Sequence, residues 1–288
     1  MGEAKVVFWD VQHGHAAYIK TPNNRHIVVD LGIGSYDSDE TFSPLKYLKN
    51  SGIGQLDYVV ITHPHLDHID DILNFDSMNP KVLLRPKKLS RDDIMRDVRD
   101  EDRGKFEKYF EIDQRYSASI KNGSYNDTKD PNNWGGMVLK SFSPLECATS
   151  NINNHSIIFV IEYATTKIVF TGDNESCSFN ELMQKDNFKN TIKNADILLA
   201  PHHGRDSGYH NDFISQVNPS LTVISDGRFN ENSATSKYSS KSRGWSVVKA
   251  DGSESKRYAL TTRQDGIVTA RFGYGDNQRP YLYVATKM

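Results

Sequence analysis

Three imidazoles and a carboxylate fall within six residues of this chain, in the run His63-Pro64-His65-Leu66-Asp67-His68. Imidazole nitrogen and carboxylate oxygen are the donors that suit zinc, with manganese or iron(II) as alternatives. His63 and His65, two apart on an extended turn, can direct their rings to one divalent ion. Asp67 and His68 lie at the start of the following helix and can reach a second. Two ions so held would make a hydrolytic centre. A His-rich surface turn is the plain alternative, and other runs in the chain weigh against it.

Asp173 ends the run Lys167-Ile168-Val169-Phe170-Thr171-Gly172-Asp173, where it can give one oxygen to each of two metals. Alone, Gly-Asp after a strand is an ordinary turn. The run Ile197-Leu198-Leu199-Ala200-Pro201-His202-His203-Gly204 ends in a pair of imidazoles. One of the pair can complete the second metal site and leave the other for substrate or leaving group; His202 is taken as the ligand and His203 as the free ring. Asp30, closing Ile27-Val28-Val29, suits a carboxylate that orients a ligand imidazole, although a strand-terminal turn explains it equally well. In Gln12-His13-Gly14-His15, His13 or His15 can line the site, and a surface hairpin turn competes with that reading.

Such residues need rigid strand ends to hold them. Apolar runs closed by polar or Pro/Gly punctuation predict strands over residues 5–9, 16–20, 27–30, 56–62 and 81–85. Further strands are expected over 137–142, 156–163, 167–170, 197–200 and 221–225, and in the tail over 258–262, 267–272 and 281–284. Ser43-Pro44 opens a helix to about residue 50, with Ser as cap and Pro at the first position. Helices are also expected over 68–75, 179–186 and 209–217. Residues 88–135 read as an insertion: a helix from Ser90 to about Tyr116, then a loop rich in Asn, Asp and Gly. Ten basic and nine acidic residues lie between Arg85 and Arg115, so this helix is nearly neutral and reads as a solvated face. Early strands, ligand-tipped central strands and flanking helices suggest an α/β protein of two sheets covered by helices.

Composition narrows the rest. At 288 residues, 37 % hydrophobic and 25 % charged, the chain can bury a large core, and residues 1–288 read as a single domain carrying the insertion. A net charge of −2 gives no general attraction to nucleic acid, so any such contact must be local. The longest apolar run, 157–161, is far short of a membrane span, and the first residues make no secretory signal. A soluble, cytoplasmic protein without membrane contact is expected. Two cysteines, Cys147 and Cys177, make no disulfide framework and receive no role.

With these residues in view, the sequence resembles the metallo-β-lactamase-fold hydrolases. It is most similar to their competence-type branch, which includes the metallohydrolase domain of the ComEC DNA-uptake channel. The resemblance runs from Phe8 to about Arg271 and rests on five stretches: Asp10 to Ala16 with Asp30-Leu31-Gly32, His63 to His68, Thr171 to Asp173, Pro201 to Gly204, and Thr261 to Ile267. It implies a four-layer αβ/βα sandwich with a dinuclear site between the sheet ends. Many members supply a further imidazole before the Gly-Asp; here that region reads Asn151-Ile152-Asn153-Asn154-His155-Ser156. Asn153…Ser156 fits the Asn-x-x-Ser pattern of the branch, which puts Asn153 near the site, with His155 as the possible missing ligand. Without that ligand the first metal keeps His63, His65 and Asp173. This chain carries no membrane channel, so its role need not be DNA uptake.

The expected reaction is attack by a metal-held hydroxide, oriented by Asp67, with His203 stabilising charge or protonating the leaving oxygen. Arg205 and Lys237 are the candidate phosphate contacts. Residues 228–263 hold eight basic side chains against three acidic ones, interleaved with Phe229, Tyr238, Trp245 and Tyr258, which could follow a phosphate backbone. Phosphodiester or nucleic-acid hydrolysis leads. The alternatives are a small-molecule hydrolase (of a phosphocholine ester, lactone or lactam) and a non-catalytic sensor with a structural metal. The 88–135 insertion offers a surface for a protein partner or a second copy.

Overall fold

In β1 (Ala4–Phe8), Ala4, Val6 and Phe8 turn to one side while Val7, with Trp9 beyond the strand, turns to the other, and both sides are buried. A strand apolar on both faces must lie between two packed layers. The computed structural model, which describes residues 2–35, 41–227 and 233–287, shows those layers.

β1 pairs antiparallel with β2 (Ala17–Lys20), which pairs antiparallel with β3 (His26–Val29). A two-residue ladder, β4 (Gly34–Ser35) with β5 (Thr41–Phe42), leads to α1 (Pro44–Asn50). Ser43 Oγ accepts from Lys46 N at 3.1 Å and Pro44 takes the first turn, so α1 begins and ends where its capping residues predict. β6 (Tyr58–Val60), α2 (Leu66–Ile69) and β7 (Val82–Leu84) follow, with β3, β6 and β7 parallel. The expected helix over 68–75 is instead α2 followed by a 3₁₀ turn, Ile72–Met78.

The insertion differs from expectation. It holds two helices, α3 (Arg91–Met95) and α4 (Arg103–Arg115), separated by a short 3₁₀ turn at Asp100–Asp102. Nor is it merely solvated: Ile94, Phe106, Tyr109 and Ile112 are buried against Ile69, Ile72 and Phe75. The chain has to turn near residue 100 to lay both apolar stripes on one surface.

β8 (Val138–Phe142), β9 (Ile158–Tyr163) and β10 (Thr166–Phe170) form an antiparallel meander. After α5 (Ser176–Leu182) and α6 (Asp186–Ile192), β11 (Ile197–Leu199) lies parallel to β10. α7 (Asn211–Val217) returns the chain to β12 (Leu221–Ile224), again parallel. α8 (Thr235–Lys241) precedes a hairpin the sequence reading missed, β13 (Trp245–Val248) with β14 (Glu254–Arg257). Finally come β15 (Ala259–Thr261), α9 (Thr262–Asp265), β16 (Ile267–Tyr274) and β17 (Pro280–Lys287).

The strands make a nine-stranded sheet, β14-β13-β17-β16-β1-β2-β3-β6-β7, facing a six-stranded one, β15-β12-β11-β10-β9-β8. Phe8, Phe159 and Phe170 meet between them, with ring centroids 5.7 and 6.1 Å from Phe170. Burying each such ring contributes about 2–3 kcal/mol. α1, the 3₁₀ turn and α4 cover the outside of the larger sheet, and α5 to α8 cover the smaller through Phe179, Phe188, Phe213 and Tyr238. This is the four-layer αβ/βα arrangement. No described helix is long and apolar enough to cross a membrane.

Cys147 and Cys177, given no joint role from sequence, form a disulfide. It ties the loop before Asn151 to the first turn of α5, four residues after Asp173.

Candidate metal centre

Parallel strands deliver their C-terminal ends to one edge, which is where open α/β sheets collect ligands. Just beyond those ends, His63 follows β6, Asp173 follows β10, the His202-His203 pair follows β11 and Ser225 follows β12. The two sheets are pinned together at this edge by Ile157 N donating to Thr62 O at 2.9 Å. Gly172 makes the crossing possible: its φ is +54°, and a Cβ there would sit 2.8 Å from side-chain atoms of Ser156 and Thr62. Ser156 Oγ accepts from Asp173 N at 3.1 Å and so fixes that carboxylate's backbone.

Four of the expected residues converge closely. His203 Nε2 lies 3.1 Å from Asp67 Oδ2 and 3.4 Å from Asp173 Oδ2. His68 Nε2 lies 3.2 Å from Asp173 Oδ1 and 3.3 Å from His203 Nε2. Zinc bonded at 2.0–2.2 Å in a tetrahedron places neighbouring ligand atoms about 3.3 Å apart. Two nitrogens and two oxygens at these separations therefore fit a divalent ion. The ring tautomers fit too, because His203 Nδ1 faces Ser225 O at 3.1 Å and His68 Nδ1 faces Asp30 Oδ2 at 2.8 Å. Each ring can donate Nδ1–H outward and keep Nε2 for a cation.

His63 and His65 form the neighbouring group. His63 Nε2 is 3.0 Å from His65 Nδ1 and 3.9 Å from Asp173 Oδ2. Asp173 thus stands between both groups, with Oδ1 toward His68 and Oδ2 toward His203 and His63.

Asp30 is buried completely beneath this cluster. Its Oδ1 accepts from Thr62 N at 2.6 Å, and its Oδ2 faces Thr62 Oγ1, His15 Nδ1 and His68 Nδ1 at 2.8–2.9 Å. Burial works to raise its pKa, but the His68 and His15 rings outweigh burial and hold it well below the usual carboxylate range. Asp173 is likewise held low by His203 and His68 against the cost of burial. The partners respond in kind: burial opposes charge on His203, yet Asp173 and Asp67 raise its pKa to about 10. His63, lacking so close a carboxylate, is pushed well below its ordinary value by burial and by His68.

His202 occupies the rim. Its Nδ1 lies 2.9 Å from Glu175 Oε1 and 2.8 Å from Ser207 Oγ, and its Nε2 is 3.9 Å from Asp173 Oδ2. The geometry thus exchanges the two histidines: His203 lies inside the four-residue cluster and His202 beside it. Both have left-handed backbone, φ 53° and 49°, the local strain that turns adjacent rings to different directions. Arg205 reaches between His202 Nε2 at 3.4 Å and His13 Nε2 at 3.2 Å, and His13 Nε2 lies 3.8 Å from Asp67 Oδ2. His13 and Arg205 therefore stand together at the mouth.

Other expected residues have different described contacts. His155 is buried against the backbone of Cys147 and Ala148, and its electrostatic neighbours are Lys88 and Asp93. Asn153 lies on the same 3₁₀ turn, Ile152–His155, and its Oδ1 is buried without a partner. Lys237 Nζ pairs with Asp206 Oδ1 at 2.7 Å on the exposed surface. The basic stretch divides: Arg257 pairs with Asp265, Arg263 approaches Asp226, and Lys249 and Lys256 belong to the β13–β14 hairpin. Arg228, Phe229 and Glu231 lie outside the described residues.

Sequence reasoning missed Glu175 and Ser207, which fix His202, and did not separate His15 from His13. Glu175 stands two residues after Asp173, and that spacing is its signal in the sequence. Ser207 gave none. The insertion borders the site: a cavity of about 230 Å³ beside His65 and Asp67 is walled by Asp93, Asp97, Arg99 and Asp102.

Comparison with known proteins gives four matches. Residues 9–225 match the family model described as the metallo-beta-lactamase superfamily. ComE operon protein 3 of Bacillus subtilis is 28 % identical over 244 residues, covering 79 % of this chain and 29 % of that protein. Recombination protein 2 of Haemophilus influenzae is 31 % identical over 97 residues, 34 % of this chain and 12 % of that one. The chain thus spans under a third of the length of these relatives. Among solved structures, the metallo-beta-lactamase fold protein YhfI of Bacillus subtilis aligns over 80 % of this chain and 88 % of its own, at 16 % identity and a TM-score of 0.44.

Proposed function

The chain belongs to the metallo-β-lactamase superfamily, and from that premise we propose that it is a dinuclear phosphodiesterase acting on nucleic acid. Metal-dependent hydrolysis is the activity of the superfamily to which the fold and the His/Asp cluster assign it. The finer reading rests on one observation. Asp173 stands between a tight set (Asp67, His68, His203) and a looser one (His63, His65), so a single carboxylate can serve two ions. The name of the relative Recombination protein 2 supports a nucleic-acid substrate.

In this reading His63, His65 and Asp173 hold one ion and Asp67, His68, His203 and Asp173 the other, with zinc the expected metal and manganese or iron(II) able to replace it. Such ions, when bound, polarise a phosphoryl group and make water a nucleophile near neutral pH. The chain's own residues do the rest. Asp30 and Ser225 O hold the ligand rings in the right tautomer. His202, with Nδ1–H held by Glu175, presents the lone pair of Nε2 at the mouth beside Arg205, where it can take a proton from the attacking water and then return it to the leaving oxygen. Arg205 offers its guanidinium to the diester.

A second reading has its own support. Asp93, Asp97 and Asp102 outnumber the one cation of this wall, Arg99, which pairs with Asp102, and the remaining negative charge disfavours a polyanion and suits a cationic ester such as a phosphocholine compound. The compartment is also open to test. Disulfides persist in oxidising surroundings, so the Cys147–Cys177 bond weighs against the cytoplasmic setting expected from sequence.

Metal analysis and hydrolysis of bis-p-nitrophenyl phosphate and labelled DNA and RNA decide among these readings. Two ions per chain and cleavage of nucleic acid are expected, both diminished in Asp67→Ala. His203→Ala should lose metal, while His202→Ala should keep it and turn over about 10²–10⁴ times more slowly. Cleavage of choline phosphodiesters alone would transfer the assignment to the second reading; a metal-free, inactive protein would end both.

A further inference from the structure

A large cavity lies away from the metal centre, on the outer face of the nine-stranded sheet beside α1. It encloses about 660 Å³, within the range of small-molecule sites. Its floor is the face of β1 that carries Lys5 and Val7, opposite to the one that packs between the sheets.

Register makes this floor unusual. Lys5 stands directly opposite Lys20 of β2 and directly opposite Arg271 of β16. Three cations therefore form a row across three adjacent strands, and Lys287 of β17 also lines the cavity. Like charges directly opposite on neighbouring strands are destabilising. One carboxylate answers them, and it is already shared: Glu3 contacts Arg271 Nε at 3.3 Å and accepts from Tyr281 OH at 2.7 Å. Lys5 and Lys20 have no carboxylate partner among the described residues. Burial, then Arg271 and Lys20, lower the pKa of Lys5, with Glu3 opposing. At the α1 end the wall turns aromatic, with Trp9 packed at the base and Tyr47, 53 % exposed, at the lip.

We propose that this cavity binds a free nucleoside monophosphate, its phosphate over the Lys5–Lys20–Arg271 row and its base against the exposed ring of Tyr47, which Trp9 supports from beneath. Charge complementarity selects an anion over an apolar partner. The enclosed volume and the aromatic end select a ligand with a flat ring, a few ångströms from its phosphate. The site is independent of the reaction at the metal centre and does not rest on the reading given for it.

Calorimetric titration of the full chain with AMP tests this, with adenosine, inorganic phosphate and an eight-nucleotide oligothymidylate as companions. AMP should saturate one site, and adenosine and phosphate should each bind about tenfold or more weakly. Lys5→Gln and Arg271→Gln should each weaken AMP by about tenfold or more, while Asp67→Ala leaves it unchanged. Thermal unfolding gives a second readout: AMP raises the midpoint of the wild type and not of Lys5→Gln, which without ligand is no less stable than the parent. The proposal is overturned by any of four results. These are no saturable AMP binding, an unchanged affinity in Lys5→Gln, loss of binding in Asp67→Ala, or binding of the oligonucleotide alone. A concentration-dependent dimer that Lys5→Glu dissolves would likewise give this face to a second copy.

Discussion

Asp30 receives more than a neutral amide can replace. Its two oxygens face Thr62 N, Thr62 Oγ1, His15 Nδ1 and His68 Nδ1, all within 2.9 Å. Asp30→Asn keeps the shape but turns one acceptor into a donor that must point at a donor. Loss of such a supporting contact costs about 10–100-fold in metal affinity. Competition with a chelator should show that loss while circular dichroism stays native; unchanged affinity would remove Asp30 from the site. The protons on the same rings give a second expectation. The pKa of His203 is raised from 6.5 to about 10 in the metal-free chain, so the stability it contributes is full below about pH 6.5 and fades as pH rises toward 10. Asp173 is shifted the opposite way, so its contribution is present above its ordinary 3.8 and is lost on acidification below that. The unfolding midpoint of chelator-treated protein should therefore fall between pH 6.5 and 9.5. Added zinc, which displaces those protons, should raise it most at the alkaline end. At this scale the sequence was most informative: that His63, His65, Asp67, His68 and Asp173 gather at one edge was readable from type and spacing, because candidate ligands after strand ends leave a local pattern. The roles of His202 and His203 were not, since they turn on two left-handed residues and on Glu175 and Ser207.

Among elements, those that bury one face were legible and those that bury little were not. β9 and β10 are apolar over nearly their whole length, and the expected ranges match them within two residues. The β13–β14 hairpin, Trp-Ser-Val-Val against Glu-Ser-Lys-Arg, buries only Val247 and sits at a sheet edge, so no periodicity announces it. The disulfide was illegible for a different reason: two cysteines 30 residues apart say nothing of distance until α5 and the loop after β8 meet. Closing a loop of that length in the unfolded chain contributes about 3.5 kcal/mol. Cys177→Ser, or reduction, should lower the unfolding midpoint by about 5–10 °C. Because the bond anchors the loop leading to Asn151, which donates to Glu175 Oε2 at 2.7 Å, the rim around His202 should loosen with it. A variant with an unshifted midpoint would show that the fold holds this loop without the bond.

At the scale of the whole molecule, the centre draws on residues from His13 to Ser225, and only the folding of two sheets against each other brings them to one edge. A net charge of −2 supplies no long-range pull on a polyanion, so the local field at the mouth decides which diesters arrive. That field is divided. Arg205 stands on one side; on the other, beside His65 and Asp67, the insertion presents Asp93, Asp97 and Asp102 with Arg99 paired to Asp102, which leaves Asp97 as the carboxylate without an ion-pair partner among the described residues. If the substrate is a nucleic-acid strand, the acidic wall slows its approach, whereas a small diester passes it with little penalty. Asp97 is the residue to alter, since it is exposed and holds no structural contact of the kind that ties Asp93 to the Ser90 cap or Asp102 to Arg99. Asp97→Lys should raise kcat/KM for a single-stranded oligonucleotide about threefold or more and leave bis-p-nitrophenyl phosphate nearly unchanged. The gain should shrink at about 0.5 M salt, where the screening length is only a few ångströms. A choline diester should respond in the opposite direction, because the wall that repels phosphate attracts its ammonium. One substitution therefore separates the two substrate readings by the sign of its effect.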